Sequence, residues 1–337
     1  MKILVGLSGG VDSAYAALDL LRQGHDVSGA VLKMHQYTEI DAALHVAEQI
    51  GIPCYVIDCT ERFDSVVKNN FAEEYASART PNPCIICNER VKFAALRDFA
   101  LQNGYDRIAT GHYARIVEYG DRLTFGAAAD ARKDQSYMLY RLPQSIMNML
   151  VLPLSEVAKV QVRETLAEFG IDIAEKPDSQ EICFLPDGGY ADFVEERCGK
   201  FLPGSFVSDS GEVLGEHKGI IHYTVGQRKG LGIALGERMF VTAINALDNT
   251  VTLSREMSGK QTVMLDSPVF TGLSAMPDTP LRVSVKVRYT ASPVSATATI
   301  EGERVRLTFD TPVKAAPGQS AVAYDGAGIL LFGGIIG

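Results

Sequence analysis

Two short strings in this chain carry residue types at spacings suited to chemistry: Ser8-Gly9-Gly10-Val11-Asp12-Ser13 and Cys84-Ile85-Ile86-Cys87. The first follows the apolar run Ile3-Leu4-Val5-Gly6-Leu7 and precedes Ala14-Tyr15-Ala16-Ala17-Leu18, so it reads as strand, tight turn, helix. Free N–H groups at the start of a helix hold an anion well, and glycines let backbone approach phosphate closely. Ser8 and Ser13 add hydroxyl donors, while Asp12 can cap the helix or face a cation that offsets phosphate charge. The string lacks the Gly-Lys-[Ser/Thr] of a Walker A loop and the Gly-x-Gly-x-x-Gly of a dinucleotide fold.

The second string lies in Arg79-Thr-Pro-Asn-Pro-Cys-Ile-Ile-Cys-Asn88. Its prolines predict a non-helical segment, with both thiols just ahead of a helix beginning near Asn88. A thiol at a helix start is expected to have a lowered pKa. The residues alone leave three readings open: a redox pair, half a metal site, or a nucleophile with a neighbour. A structural zinc commonly takes a second Cys-x-x-Cys, which this chain lacks. Cys183, in Asp178-Ser-Gln-Glu-Ile-Cys-Phe184, is distant in sequence but able to share the same cleft.

Other polar strings are less specific. His112 follows a strand end, and Lys133-Asp134-Gln135-Ser136 reads as a solvated loop. Between His217 and Arg238 stand Lys218, Arg228, Lys229 and Arg238 against the single acid Glu237, and Gly226 to Gly232 is rich in glycine. Arg282, Lys286 and Arg288 alternate on one face of a late strand. These charges make a candidate RNA-facing patch, and solvation of a barrel face explains them equally well. Cys54, Cys59 and Cys198 read as structural.

The elements that must position these groups begin with repeated β–α units. Strands are expected at Lys2–Leu7, Val27–Lys33, Cys54–Asp58 and Arg107–Thr110. Helical patterns start at Asp12 and about Asp41, and run over about 63–78 and 91–102. Such repeats predict a parallel sheet with helices on both faces and ligands beyond the C-terminal strand ends. A helix over 156–169 follows. From about Asp187 the composition shifts to glycine and short segments, and the last eighty residues alternate as strands of a small β-barrel.

The 337 residues leave room for two or three domains. No apolar run is long enough for a membrane span, and the chain enters a strand at once, so neither membrane nor leader is expected. Six irregularly spaced cysteines fit reduced thiols and a cytoplasmic location. The net charge of −9 argues weakly against nucleic acid unless basic residues cluster locally.

Taken together, these strings resemble the tRNA-specific 2-thiouridylases of the ATP-pyrophosphatase (PP-loop) superfamily. Thr110-Gly-His-Tyr113, Val287-Arg-Tyr289 and Pro317-Gly-Gln-Ser320 extend the match in the family's order over nearly the whole chain. The resemblance implies an α/β protein in three parts. Residues 1–186 would be a parallel-sheet, adenine-nucleotide-binding PP-loop domain, 187–256 a small central tRNA-binding or adaptor domain, and 257–337 a C-terminal β-barrel. It implies adenylation of the C2 oxygen of a wobble uridine, then sulfur transfer to C2 with release of AMP and pyrophosphate. ATP and Mg²⁺ would be required. Gly6, Leu7, Ser8, Gly9, Gly10, Val11, Asp12, Ser13, Leu32 and Gly111 would bind ATP. Asn82, Pro83, His112, Lys133, Asp134, Gln135, Arg288, Tyr289 and Gln319 would contact tRNA.

By the same resemblance Cys183 would take up sulfur as a persulfide and Cys87 would release it, leaving a Cys87–Cys183 disulfide. Cys84 stands where many members have an acid–base Asp. With Cys84, Cys87 and Cys183 it would alternatively ligate a [4Fe–4S] cluster whose open iron binds hydrosulfide. The implied partners are tRNAs for Lys, Glu and Gln, and a cysteine desulfurase, a relay protein or hydrosulfide as sulfur donor. Leu32 to Asp41 is shorter than the family usually shows. Two other classes remain: another PP-loop adenylating ligase, or a non-catalytic RNA-binding protein. The first leaves both cysteine motifs unexplained, and the intact Ser8, Asp12 and Ser13 oppose the second.

Overall fold

A computed structural model describes residues 1–175, 182–185, 189–234 and 236–337. Its first layer is a parallel sheet of β1 (Lys2–Gly6), β2 (Asp26–Lys33), β3 (Cys54–Asp58), β4 (Arg107–Ala109) and β7 (Leu150–Val151). The strands lie in the order β3-β2-β1-β4-β7. The order reverses between β1 and β4, which opens a crevice at their C-terminal ends. Both the Ser8–Ser13 loop and the loop after Thr110 emerge into it.

Each face of the sheet buries its own core. On one face α1 (Val11–Arg22), α2 (Ile40–Ile50) and the helix Lys159–Glu168 cover Ile3, Val5, Val27 and Val31. On the other, the helices over residues 60–76 and 83–102 cover Leu4, Ala30 and Ile108. β2 shows why periodicity alone could not have placed it: six of its eight residues are buried, so it reads as a continuous apolar run. Helix ends fall where the sequence marks them. Gly24 and Gly51 take φ of +81° and +79° just past α1 and α2.

Two departures matter for the site. The cysteine helix begins at Pro83, five residues earlier than expected, and runs through a π-helical turn over Asn88–Lys92 into Phe93–Gln102. Pro83 sits in the first turn, where its missing N–H and fixed φ cost nothing, so proline here opens the helix. A hairpin of β5 (Arg115–Tyr119) and β6 (Arg122–Gly126) also stands where no strand was expected.

Beyond the sheet, β8 (Gly204–Val207), β9 (Val213–His217), β10 (Phe240–Asn245) and β11 (Thr250–Ser254) form a four-stranded sheet in the order β10-β11-β8-β9. Six further strands are β12 (Lys260–Phe270), β13 (Leu281–Lys286), β14 (Val294–Glu301), β15 (Arg304–Val313), β16 (Ser320–Tyr324) and β17 (Leu330–Ile336). They close into a barrel in the order β12-β15-β14-β13-β16-β17 around Leu265, Val285, Leu307, Phe309 and Phe332. β13 stops at Lys286, so Arg288 and Tyr289 lie in the turn at its end rather than on its face. No helix among the described residues is long and apolar enough to cross a membrane.

Candidate active site

The crevice at the strand ends is a cleft of about 650 Å³. Its walls bring together Gly6, Leu7, Ser8, Asp12, Ser13, Leu32, Gly111, His112, Gln135 and Cys183. These residues come from five separate stretches of sequence.

The Ser8–Ser13 loop is held open by its own hydroxyls. The Ser8 N–H donates to Ser13 Oγ at 3.1 Å, and Ser13 Oγ donates to the Gly10 carbonyl at 3.0 Å. Gly10 precedes α1 with no side-chain cap, which leaves the helix start free for an anion. Gly9 takes φ +71°, and a Cβ there would lie 2.8 Å from Ala42 Cβ and 3.0 Å from the Ala43 nitrogen. Gly111 has the opposite task. A Cβ on it would lie 2.5 Å from the Asp12 carbonyl carbon and 2.6 Å from the Ser13 nitrogen, so the loop after β4 packs directly on the first turn of α1.

Asp12 does face a cation. Lys159 Nζ donates to both its oxygens, at 2.7 and 2.8 Å, and the Tyr113 hydroxyl donates to Oδ1 at 2.8 Å. Lys159 is only 9% exposed. Sequence reading missed it because it begins a helix that seemed merely amphipathic. A lysine between Ala158 and Val160 was its one visible sign.

His112 pairs through Nδ1 with Thr110 Oγ1 at 2.8 Å and tilts against the Phe93 ring. Burial, reinforced by the nearby Lys92 ammonium, holds its pKa well below the ordinary value, so it is neutral at pH 7. Lys133 to Ser136 is less solvated than expected. Gln135 Oε1 accepts from the Tyr113 N–H at 2.9 Å, and Asp134 accepts from Ser136 Oγ at 2.8 Å. Lys286 lies within 6.0 Å of the Tyr137 and Tyr289 rings, so the 133–136 loop faces the end of β13. Burial lowers the Lys286 pKa, partly offset by the Asp134 carboxylate.

The three cysteines converge from two elements. Cys84 and Cys87 sit on the helix that Asn82 caps, its Oδ1 accepting from the Cys84 N–H at 3.2 Å; Pro83 beside it is buried. Cys183 reaches the cleft because Phe184 anchors its segment. That ring lies 5.6, 5.4 and 5.3 Å from the rings of Phe63, Phe71 and Phe193. Cys183 lines the cleft and Cys84 is exposed, whereas Cys87 is buried with its sulfur 3.7 Å from Met34 Sδ. The expected low thiol pKa is overturned. Desolvation of the sulfurs by surrounding protein pushes Cys87 up to about 12 and also raises Cys84 and Cys183, although those two residues keep an exposed surface, and it outweighs the Lys92 charge that pulls them down. The three thiols perturb one another through space. Among the described residues, however, no group of three cysteine, histidine or carboxylate side chains is spaced to hold a metal ion. The rest of Asp178-Ser-Gln-Glu lies outside the described residues.

The remaining candidates lie away from the cleft. Gln319 donates its amide to the Thr80 carbonyl at 2.6 Å. Arg282 is paired with Asp310 at 2.7 Å across the barrel, which removes it from the expected basic stripe. Arg288 is exposed, as are Lys218, Arg228, Lys229 and Arg238 around the glycine-rich loop of the central sheet. Cys59 is buried as expected, whereas Cys198 is exposed.

Comparison with known proteins places this arrangement. Residues 1–187 match the family model described as the tRNA methyl transferase HUP domain, 191–255 the PRC-barrel domain of the same series, and 260–336 the aminomethyltransferase beta-barrel domain. The tRNA-specific 2-thiouridylase MnmA of Acetivibrio thermocellus is 44% identical over 99% of this chain and 99% of its own. Those of Clostridium acetobutylicum and Clostridioides difficile are each 41% identical, over 99% of this chain and 99% and 98% of theirs.

Proposed function

The chain belongs to the tRNA-specific 2-thiouridylase family, enzymes of tRNA 2-thiouridine synthesis, and on that premise we propose how its residues divide the work. ATP occupies the cleft with its phosphates on the Ser8–Ser13 loop, whose N–H groups and hydroxyls stabilise the departing pyrophosphate. Leu32 and Gly111 border the nucleotide. Asp12, whose oxygens already accept from Lys159 and Tyr113, is the loop carboxylate that would meet Mg²⁺, a hard cation that commonly takes one or two carboxylates together with substrate phosphates. Bound there, the ion would neutralise phosphate charge. Lys159 orients Asp12 and supplies a second positive charge beside the same phosphates.

The chemistry explains why both halves of the site are needed. The uridine C2 oxygen is a poor leaving group. Its attack on the α-phosphorus of ATP expels pyrophosphate and makes it part of AMP, a good one. A sulfur nucleophile at C2 then expels AMP. A persulfide donor leaves Cys183 carrying the outer sulfur. The Cys87 thiolate attacks the inner sulfur of Cys183, a Cys87–Cys183 disulfide forms, and the outer sulfur passes to C2. A thiol reductant resets the pair. Cys84 lies beside both and takes or gives the proton that Asp handles in many relatives.

The observation that carries this reading is the single cleft that holds the phosphate loop and Cys183 together. A [4Fe–4S] cluster would need Cys84, Cys87 and Cys183 assembled as thiolate ligands. Among the described residues no group of three such side chains is spaced to hold a metal ion, so no step is derived through one. The substrate uridine belongs to tRNA. Lys133, Gln135, His112, Arg288 and Tyr289, with Asn82 and Pro83 at the cysteine helix, border the path by which an extruded base reaches the cleft. The reducing cytoplasm is where free thiols of this kind persist. The test is pyrophosphate release from ATP. It should require tRNA, and Lys159→Met should lower it about a hundred-fold, the scale of losing one preorganised charge at a developing anion. Release independent of tRNA would overturn the assignment.

A further inference from the structure

We propose that the barrel loop Pro317–Gln319 is a positioning clamp that fixes the cysteine helix. The proposal rests on the reading above only for its consequence in sulfur transfer. Both backbone groups of Thr80 are held by the barrel: its N–H donates to the Pro317 carbonyl at 2.8 Å, and its carbonyl accepts from Gln319 Nε2 at 2.6 Å. Gly318 fits against this segment only as glycine. It takes φ +86°, and a Cβ would stand 2.7 Å from the Thr80 nitrogen and 3.0 Å from Arg79 Cβ. Arg79 adds a third tie, donating through Nη2 to the Ile336 carbonyl of β17 at 3.2 Å.

The link from this clamp to the thiols is short and stiff. Only Pro81, Asn82 and Pro83 separate Thr80 from Cys84. Proline fixes φ at two of those three positions, and Asn82 is held by its cap on the Cys84 N–H. A shift at Thr80 therefore reaches the helix with little loss. The barrel side is equally fixed. Tyr137 donates to the Ser320 carbonyl at 2.8 Å, and Tyr140 pairs with Ser320 Oγ at 3.1 Å. β16, which begins at Ser320, pairs with β13 through Lys286 and Val322. The clamp and the turn bearing Arg288 and Tyr289 thus lie at the same end of one strand pair, so RNA load on that turn bears on the thiols.

The test uses the full chain with Gly318→Ala and Gln319→Ala, each first checked by thermal melting. Three quantities are read: tRNA-dependent pyrophosphate release, 2-thiouridine formation, and alkylation of Cys87 by iodoacetamide, resolved by peptide mass spectrometry. In Gly318→Ala, Cys87 alkylation should rise severalfold and thiolation should fall about ten-fold, because a misplacement near 1 Å can cost that much or more. Pyrophosphate release should stay within about two-fold, since the phosphate loop is not part of the clamp. Gln319→Ala should lower kcat for thiolation at an unchanged KM for tRNA. A raised KM for tRNA, with both half-reactions falling together, would overturn the clamp in favour of an RNA contact at Gln319. Unchanged Cys87 alkylation in both variants would also overturn it. Faster alkylation with normal thiolation upholds the clamp and refutes instead the sulfur-releasing role of Cys87.

Discussion

At the scale of residues, burial and charge compete, and Cys87 shows which wins. Its position in a helix preceding Lys92 argues for a stabilised thiolate, yet desolvation pushes its pKa up to about 12 from an ordinary 9.0. Its thiolate fraction at neutral pH is therefore very small. The Cys87-dependent step should accelerate about ten-fold per pH unit from pH 7 to 9 without levelling off. Single-turnover thiolation of preadenylated tRNA across that range checks this, and a plateau below pH 9 would show an unperturbed thiol. The raised pKa also has a sign for stability. The folded chain holds this proton more tightly than the unfolded one, so the contribution is complete below pH 9 and is lost as pH climbs toward 12.

At the scale of elements, much of the site was legible because local rules set it. The strand–turn–helix around Ser8–Ser13 follows from an apolar run, two glycines and an amphipathic helix. Gly111 was placed at the C-terminal strand ends by the β–α pattern, and as an ATP contact by resemblance. Its physical reason, backbone contact with Asp12 and Ser13, is a long-range fact that sequence spacing does not carry. Substitution Gly111→Ala should destabilise the fold by about 1–3 kcal/mol, the cost of overpacking where backbone must yield. It should also depress pyrophosphate release more than the lost stability explains. A melting curve beside the initial rate checks this, and normal release with a lowered Tm would make Gly111 structural only. Lys159 was illegible for the same reason, since its partner lies 147 positions away. The cysteine helix was misread through a rule applied too broadly: proline excludes a helix interior but favours its first turn. The 115–126 hairpin escaped because its strands are only five residues each and neither alternates cleanly between buried and exposed positions.

At the scale of the whole molecule, an acidic chain must bind an acidic substrate. Against the net charge of −9, Lys218, Arg228, Lys229, Arg238 and Arg288 are exposed, while Arg282 is paired with Asp310; on the proposed function, the exposed set carries the salt dependence of tRNA binding. About three to five phosphate contacts give a slope of roughly −3 to −4.5 in log affinity against log salt, and Arg228→Ala should make it shallower by about 1. Filter binding between low and physiological salt measures both, and a flat line would exclude this surface. The core on the cysteine-helix side of the sheet runs from Leu4 through Phe184 to Phe206 and Val251, so the central sheet and the Cys183 segment share their apolar support. On the proposed function, activation and sulfur delivery meet at this cleft. The measurement that tests this most directly is a single turnover of Cys183→Ser with tRNA, ATP and a persulfide donor. Stoichiometric pyrophosphate release with no 2-thiouridine is the predicted result; 2-thiouridine at the wild-type rate, or no pyrophosphate at all, would contradict it.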